Sequence, residues 1–538
     1  QMSKRRGIGV SLTAVAMLML VIGVAWSGSL RGVSAPAGVS PLAPAGSRGE
    51  PYRAEGIWAQ PAKEDTYPNG ARVVHSTKND ISPAVRDLPL GTFQERSENE
   101  AADNFTPTKL GKSGVVDSVV QDFFGPLAMP APILNFDGIA VGSSFCNCIP
   151  PDTNADVGPN HIVQSTNSAF QIWNKAGVSV QPARALNTLW TGFGGPCQSA
   201  NDGDPIVNYD AIADRWVISQ FVADPPYYQC FAVSTTGDPA GTYNRYGFQM
   251  SATVFYDYPK VSVWPDGYYM SANRFNGNTF VGPSAIVFNR AKMLLGQPAT
   301  FQEFQRGTTY YTLMPADLDG PTPPAAGAPN PFVSIYDEGA NPTNIKLWKY
   351  HVDWTTPANS TFTGPTALTV AAFDDNLCNY SRNCIPQPST TQKLDSIALN
   401  TMYRFAYRNL GTHSAGLVSN VVDANGADKA GMRWYEIRNP EAAATIYQQG
   451  TYSPDANNRW MGSLAMDRQG NIAMGYSVSS ASVFPSIRPA ARTPPSAASS
   501  PPAAGDRCAT APARCATSSS ASPLRTRAEP SPAPAAWS

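Results

Sequence analysis

A strand, a tight turn and an aromatic-bearing strand recur six times between Asn135 and Arg488. Runs that alternate apolar and polar residues predict half-buried strands, and the Asp, Asn, Gly and Pro residues between them predict hairpin turns. The units begin near residues 157, 204, 258, 332, 394 and 460. The predicted strand pairs are 161–173 followed by a turn at 174–177, 205–209 with 215–221, 260–264 with 268–272, 331–336 with 345–350, 395–400 with 402–407, and 460–466 with 472–476.

The spacing of these units favours a ring of sheets. Successive units start 47 to 74 residues apart, whereas a four-stranded propeller blade needs about 40 to 50 residues, so the longer intervals carry loops. Because each sheet in a ring buries its faces against its neighbours, we expect an all-β protein, a β-propeller of about six or seven blades. A sandwich or a barrel is the alternative, and Arg290 to Leu295 is predicted to form a helical turn.

Charge and composition exclude several classes of protein. The chain has 39 basic and 40 acidic side chains, and a net charge of -1 leaves no electrostatic case for a nucleic-acid partner. Charged residues make up 15% of the sequence and aromatic residues 10%, which suits a large extracellular all-β protein better than a disordered chain. No P-loop, Gly-x-Gly-x-x-Gly or Gly-x-Ser-x-Gly motif supports nucleotide chemistry or a serine hydrolase.

Six cysteines lie in the predicted folded body, an even number that favours disulfides in an exported chain. We expect Cys378 to bond Cys384 across a short loop, and Cys197 to bond Cys230 and tie two strands of one unit. The remaining pair, Cys146-Asn-Cys148, is separated by one residue, so a strained bridge and a redox or metal role both stay open. None of the four histidines stands near a cysteine with zinc-finger spacing.

Both ends of the chain lie outside the predicted fold. Residues 1–35 have the basic residues, apolar stretch and small-residue step of a signal peptide, with an uncleaved N-terminal anchor as the alternative. Residues 36–132 form a low-complexity leader, and residues 133–488 form the propeller. Residues 489–538, rich in Ala, Pro and Ser, build no strand and are either a linker or the product of a reading-frame error. We therefore expect an exported protein with disordered N- and C-terminal extensions.

Several short motifs are distributed along the predicted propeller: Pro150–Asn160, Asp202–Asp210 with Arg215 and Trp216, Arg433–Glu436, Trp460–Ser463, and Gly475–Ser479 with Pro485–Arg488. Together they resemble a family of uncharacterised secreted bacterial proteins. Members of that family usually continue past the last motif with another strand-rich unit, so the resemblance implies that the propeller is truncated at its C terminus. The unit Met466–Tyr476 is similar, more distantly, to blades of sialidase-like propellers with degenerate Asp-boxes, which implies fold more than activity.

Asp152, Asn154 and Asp156 place oxygen-bearing side chains at every second position, which is how a calcium-binding loop begins. The EF-hand pattern then fails, because Val163 stands where the bidentate glutamate belongs. A second run, Asn201–Asp204, offers ligands from a neighbouring loop. Calcium is the one cofactor that the sequence suggests, and the alternative is that both runs are self-stabilising Asx turns.

Candidate catalytic residues follow from the chemistry of glycoside hydrolysis. A sialidase needs an arginine cluster for the substrate carboxylate and a nucleophile pair of tyrosine and glutamate. The candidates are Arg404, Arg408, Arg433 and Arg488 for the anion, Tyr435 with Glu436 for the nucleophile pair, and Asp152 for the acid. The alternative is that these arginine and glutamate residues form ion pairs that join blades.

The sequence favours binding over catalysis. Loops on one face of a rigid ring form a common binding platform, and no complete catalytic set is visible. We therefore expect a secreted or cell-surface binding or adhesion module whose ligand is a glycan or another surface polymer. A sialidase-like glycoside hydrolase is the alternative, and a calcium-stabilised structural protein of the envelope is a third. Contact with a membrane is expected only through an uncleaved N-terminal anchor.

Overall fold

The structure, a computed structural model, describes residues 62–93, 115, 117–126, 131–145, 150–335 and 342–493. The chain divides into two compact units, Gln1–Arg53 and Ala54–Ser538, and every described residue belongs to the second. Within the described ranges, no helix has the length and hydropathy needed to cross a membrane. The predicted signal peptide or anchor, the Cys146-Asn-Cys148 pair and the tail beyond residue 493 lie outside the described residues.

Strands dominate the described residues, as predicted. The first four are β1 (Glu64–Thr66), β2 (Arg72–His75), β3 (Lys78–Ile81) and β4 (Val120–Gln121). The next group is β5 (Asn154–Val157), β6 (His161–Thr166), β7 (Ala169–Asn174), β8 (Ser179–Ala185), the helix α1 (Gly195–Ser199), β9 (Ile206–Asp210), β10 (Arg215–Val222), β11 (Tyr227–Ser234) and β12 (Tyr243–Ser251). Then come β13 (Val254–Trp264), β14 (Gly267–Asn276), β15 (Thr279–Phe288), the helix α2 (Arg290–Leu294), β16 (Thr300–Gln305), β17 (Met314–Leu318), β18 (Asn330–Ser334), β19 (Asn344–His351) and β20 (Thr361–Thr369). The last are β21 (Met402–Asn409), β22 (Ser414–Asp423), β23 (Ala430–Arg438), β24 (Thr445–Tyr452), β25 (Asn458–Met466), β26 (Ile472–Ser479) and β27 (Ser486–Arg492).

The strands form five sheets. Four of them are blade-like and are built outward from β5, β9, β13 and β25, which we call inner strands together with β17 and β21. The fifth sheet has nine strands, because β17 and β21 each start an antiparallel run and pair with each other in parallel. Successive inner strands pack side by side. The all-β propeller arrangement is confirmed, whereas the number of blades depends on how the nine-stranded sheet is divided and stays a prediction.

Apolar cores lie between neighbouring sheets. The core between the first sheet (β5–β8) and the second (β9–β12) contains Trp216, and the next core, toward the third sheet (β13–β16), contains Phe288. Trp264 of the third sheet packs on Tyr407 of the nine-stranded sheet, with ring centroids 4.7 Å apart. Trp460 lies in the core between the nine-stranded sheet and the last sheet (β25–β27). Among the described residues, no buried cluster combines the last sheet with the first.

Parts of the predicted leader join these sheets. Strands β1 and β2 extend the third sheet, β3 extends the second, and β4 extends the nine-stranded sheet. Arg72 on β2 forms a 2.6 Å ion pair with the buried Glu303. Asp117, close before β4, forms a 2.9 Å ion pair with the buried Arg433. These segments complete the edges of sheets formed later in the chain, and strands of two to four residues are too short for alternation to reveal them.

Two strand predictions are wrong. Strand β27 continues past Pro489, where the sequence predicts no strand, because an outer strand needs little more than backbone pairing and Ala490 buries its methyl group. Asp395 to Asn400 form no strand, because the Asp395 carboxylate accepts a hydrogen bond from the Ile397 N–H at 2.8 Å and closes a turn.

Both predicted disulfides of the described residues are confirmed, Cys197–Cys230 and Cys378–Cys384. Cys197 lies in helix α1, so its bond joins a helix to strand β11 and not two strands. The helical turn predicted at Arg290 to Leu295 is helix α2.

Candidate functional site

An arginine at the centre of the inner strands is surrounded by carboxylates. The guanidinium of Arg404, on β21, lies 3.0 Å from Asp317, 3.3 Å from Asp156 and 3.5 Å from Asp319. Asp156 belongs to β5 and Asp317 to β17, and Asp319 directly follows β17. Because a guanidinium presents five N–H donors, one arginine can satisfy several carboxylates. Arg404 thus joins the first sheet to the nine-stranded sheet.

Backbone amides of two further inner strands bind the same carboxylates. Asp156 accepts a hydrogen bond from the Tyr209 N–H on β9 at 2.8 Å, and Asp317 accepts one from the Val263 N–H on β13 at 2.8 Å. These acidic side chains therefore stitch one sheet to the next, which gives them a structural reason to sit on inner strands.

Tyr403 completes the polar centre. Its hydroxyl accepts a hydrogen bond from the Asn208 side-chain amide at 2.8 Å and donates to the Val261 carbonyl at 2.9 Å. Five inner strands therefore meet in one hydrogen-bonded group, which we call the axial network and which consists of Asp156, Asn208, Asp317, Tyr403 and Arg404.

Burial changes the acidity of two carboxyls at this centre. It raises the pKa of Asp317 to about 7, and the positive charge of Arg404 opposes the rise. It raises the pKa of Asp319 to about 6, again against the effect of Arg404. Both carboxyls therefore exchange protons close to neutral pH, and the charge of this region depends on pH more than its composition suggests.

A cavity of ≈ 750 Å³ opens beside the axial network, and its walls come from the first sheet, the second sheet at Tyr209, the nine-stranded sheet and the last sheet. We call it the axial cavity. Its polar lining consists of Asp156, Asp319, Arg404, Arg408 and Ser463, and its apolar lining includes Val157, Pro159, Leu318, Pro321, Leu464 and Met466. Pockets for organic ligands commonly enclose about 300 to 1,000 Å³ and combine apolar walls with a few polar groups. The axial cavity has both properties.

Arg408 differs from Arg404 in having no partner. It lines the axial cavity, and it makes no hydrogen bond or ion pair with any described residue. Its Nε atom is buried without an acceptor. The guanidinium packs against Gly320, where an added Cβ would lie 2.7 Å from Nη1 and where φ is +85°. Glycine at position 320 thus makes room for a cation that faces the cavity.

The three predicted calcium ligands face different partners. Asn154 accepts a hydrogen bond from the Val207 N–H at 2.7 Å, and Asp156 belongs to the axial network. Asp152 lies instead beside Asp204. Within the described ranges, no group of three or more His, Cys, Asp or Glu side chains has the geometry to hold a metal ion. Calcium binding stays a prediction, which a fall in melting temperature on adding EDTA would support.

The structure brings together only part of the predicted catalytic set. Arg404 and Arg408 share the axial cavity, but Arg433 is buried against Asp117, and Tyr435 is fully buried. Glu436 is 3% exposed and forms a 3.2 Å ion pair with Arg438, and Arg488 lies exposed on β27. An arginine cluster beside a tyrosine and glutamate nucleophile pair is therefore not assembled by these residues.

A second polar cluster lies at the opposite, amino-terminal ends of the inner strands. Asp152 and Asp204 each stand two residues before an inner strand, with φ of 43° and 42°, and their carboxyls are hydrogen-bonded to each other. Burial, then the neighbouring charge of Asp152, raise the pKa of Asp204 well above its usual value. Lys260 is 8% exposed, and its ammonium lies 3.7 Å over the ring of Tyr258. The positive φ of Asp152 and Asp204 is a left-handed backbone conformation, which is uncommon at residues other than glycine.

Sequence reasoning missed Asn208, Asp317 and Asp319 at the axis. Asp317 and Asp319 alternate around Leu318 at the end of a strand, which is the one signal that could have singled them out. Asn208 sits inside a strand motif that resembles an ordinary packing unit. Its hydrogen bond is to Tyr403 on another sheet, so the sequence around Asn208 gives no sign of it.

No protein-family model matches the sequence, and no curated protein sequence matches it. Among solved structures, the chain is similar to a subtype N10 neuraminidase-like protein of A/little yellow-shouldered bat/Guatemala. That similarity has 6% identity, covers 63% of this chain and 93% of that chain, and has a TM-score of 0.33.

An exo-beta-1,3-galactanase from Phanerochaete chrysosporium has 10% identity, coverage of 61% of this chain and 75% of that chain, and a TM-score of 0.28. A DUF4623 family protein from Bacteroides eggerthii has 9% identity, coverage of 62% and 69%, and a TM-score of 0.29. TM-scores this low carry no argument about what the chain does, so its own geometry must carry the proposal.

Proposed function

We propose that the protein is an exported glycan-binding module whose ligand occupies the axial cavity. The observation that carries the proposal is the cavity itself, a space of ≈ 750 Å³ at the one junction of sheets that no described apolar core fills. Sugars present apolar C–H faces and many hydroxyls. In the lining, Leu318 and Met466 can pack against the C–H faces, and the side chains of Asp156 and Ser463 can bind the hydroxyls.

Two features of the described chain support export. The disulfides Cys197–Cys230 and Cys378–Cys384 persist in oxidising compartments such as the cell exterior. The sheets of this chain by themselves form the walls of the cavity, which suits a module that acts outside the cell. Whether the protein is released or held at the surface is decided by residues 1–35, which the structure does not describe.

The test is to fill the cavity. Gly475 lines it, is exposed, and has no atom within 4 Å of an added Cβ, so Gly475→Trp should fit its backbone and occupy the ligand space. Gly307→Trp is the matched control, because Gly307 also has open space and lies outside the lining. On an array of microbial and plant glycans, we expect wild type and Gly307→Trp to bind the same glycans and Gly475→Trp to lose them. Equal binding by all three proteins would place the ligand elsewhere.

A second candidate function, hydrolysis of a glycosidic bond, is favoured by one observation at the amino-terminal ends of the inner strands. The hydrogen-bonded carboxyls of Asp152 and Asp204 hold a proton, and Asp257 adds a third acidic group whose charge reaches Asp204. A carboxyl that keeps its proton near neutral pH can act as the general acid of a glycosidase. In this candidate function the general acid is the pair of Asp152 and Asp204. The predicted nucleophile pair, Tyr435 and Glu436, has no role in it.

The two candidates separate by mutation. Asp204→Asn should abolish release of reducing sugar if the pair is catalytic, with a loss of about a hundredfold or more, while binding at the axial cavity persists. Asp224→Asn, at an exposed turn, is the control. If wild-type protein releases no sugar from any glycan that it binds, hydrolysis is excluded and the binding function stands.

A further inference from the structure

Arg408 is a cation inside the axial cavity with no counter-ion in contact. Arg404 and Arg408 both line the cavity from β21, although the pairing of β21 with β22 shifts register between Met402 and Ala406. Their surroundings differ. Arg404 is neutralised by three carboxylates, whereas Arg408 has neither a hydrogen bond nor an ion pair among the described residues.

The carboxylates near Arg408 are engaged elsewhere or lie at a distance. Asp319 is within 3.5 Å of Arg404, and it senses Arg408 only through space. Asp467 senses Arg408 in the same way, while its oxygens accept hydrogen bonds from Gln469 and Asn471. No described acidic group therefore completes the coordination of the Arg408 guanidinium.

The buried Nε of Arg408 makes the missing partner more significant. A buried donor without an acceptor carries the full cost of losing water. Arg184, Arg274, Arg433, Arg459 and Arg492 also have an unpaired buried Nε, so Arg408 is distinguished by its place in the lining of the cavity. Contact with Gly320 limits where the guanidinium can go, because its Nη1 lies against the backbone at that position. The guanidinium is thus held toward the cavity, where no described residue accepts a hydrogen bond from it.

We infer that the axial cavity selects an acidic glycan and that Arg408 binds the carboxylate or sulfate group of that glycan; this inference rests on the proposed function. The planar guanidinium can donate two parallel N–H bonds to an oxyanion, which gives both affinity and orientation. A neutral sugar would offer the Arg408 guanidinium no anionic acceptor and would bind more weakly. Arg404 keeps its structural role in this arrangement, since its donors are used by the axial network.

The experiment measures equilibrium binding of four polymers to the whole protein. Polygalacturonate carries carboxylates, its fully methyl-esterified form has the same backbone without charge, dextran sulfate carries sulfates, and dextran is neutral. The variants are Arg408→Gln and Arg408→Lys, with Arg382→Gln as the control, because Arg382 is exposed and lies outside the cavity lining. Thermal unfolding of each variant verifies that it folds.

We expect wild type and Arg382→Gln to bind an acidic polymer at least tenfold more tightly than its neutral counterpart. Arg408→Gln should remove that difference, and Arg408→Lys should restore part of it, because lysine keeps the charge but not the fork of donors. Preference for polygalacturonate or for dextran sulfate identifies the anionic group. Equal binding of neutral polymers, unaffected by Arg408→Gln, overturns the inference but leaves the proposed function standing. Absence of binding to any glycan overturns both.

Discussion

The junctions between successive sheets and the junction between the last sheet and the first are built differently. Trp216, Trp264 and Trp460 fill sealed junctions and are 1%, 1% and 4% exposed. The last junction instead holds a cavity with apolar residues such as Leu318 and Met466 in its lining, together with Arg404 and Arg408. A propeller sheet buries its faces only against its neighbours. The sealed junctions, which are filled by apolar cores, therefore stabilise the fold. The open junction, which holds the axial cavity, leaves space for a ligand.

Removing a sealed core should have the largest effect. Trp216→Ala deletes the indole that packs on Tyr209 at a centroid distance of 5.1 Å and donates to the Gly237 carbonyl. We expect the free energy of unfolding to fall by about 3–5 kcal/mol, as for other buried tryptophans. Urea unfolding followed by fluorescence measures it. If the free energy of unfolding fell no more than it does on substitution of an exposed residue, Trp216 would not form a core between the first and second sheets.

Removing the arginine of the axial network should cost nearly as much. Arg404→Gln leaves Asp156, Asp317 and Asp319 without their shared cation. Breaking a buried ion pair from one side typically costs about 3–5 kcal/mol. We expect a large fall in melting temperature at pH 8 and a smaller fall at pH 5, where the raised pKa values of Asp317 and Asp319 allow them to be protonated. Equal losses at both values of pH would contradict the charge assignment.

Asp317 should make stability depend on pH. Its pKa is raised to about 7 in the folded protein from an ordinary 3.8, so the folded state holds a proton that the unfolded state releases between these values. Stability from this group is therefore full below pH 4 and is lost as pH rises toward 7, by about 1.4 kcal/mol per pKa unit. Asp317→Asn, which keeps an acceptor for the Val263 N–H, should flatten this slope. Asp224→Asn should leave it unchanged.

Arg492 offers a stabilising substitution at the last sheet. It is 3% exposed, none of its three guanidinium nitrogens has a hydrogen-bond partner among the residues that the structure describes, and burial lowers its pKa to about 10. Arg492→Met keeps the packing over Trp434 and removes the unpaired donors, so we expect a gain of about 1–3 kcal/mol. A lower melting temperature for this variant would mean that the guanidinium has a partner after all.

Filling the open junction should change stability least. Gly475→Trp enters space that no atom occupies within 4 Å of the added Cβ, so we expect a change within about 0.5 kcal/mol in either direction. The same variant is expected to lose glycan binding. Calorimetric unfolding verifies the first expectation, and a destabilisation comparable to that of Trp216→Ala would mean that this junction is sealed as well.

The sequence predicted the fold better than the site, for a physical reason. Alternation and turn residues are local, so strand pairs such as β9 with β10, and the disulfide partners, could be predicted from neighbouring residues. Short strands such as β2 have no such signature, since β2 pairs with β16, more than two hundred positions later in the chain. Pro489 misled the prediction for β27, because an outer strand tolerates proline.

The candidate site depends on which strands become neighbours, and that is not local. Arg404 and Arg408 look alike in sequence, since they lie four residues apart on one strand. Arg404 forms ion pairs with carboxylates, whereas Arg408 forms none with the described residues. Arg433 was chosen for the same reason as Arg404, but its partner Asp117 comes from the leader. Residue type suggested an anion site, and only the positions of other strands decide which arginine can serve it.

Hydrogen exchange with and without polygalacturonate shows directly whether the open junction is the binding site. Residues 155–159, 318–321 and 463–466 line the axial cavity, and all of them except Pro159 and Pro321 carry an exchangeable amide proton. We predict that saturating ligand slows exchange at these three segments in wild type and at none of them in Gly475→Trp. Protection that is confined to other parts of the chain, or that persists in the filled variant, would contradict the claim.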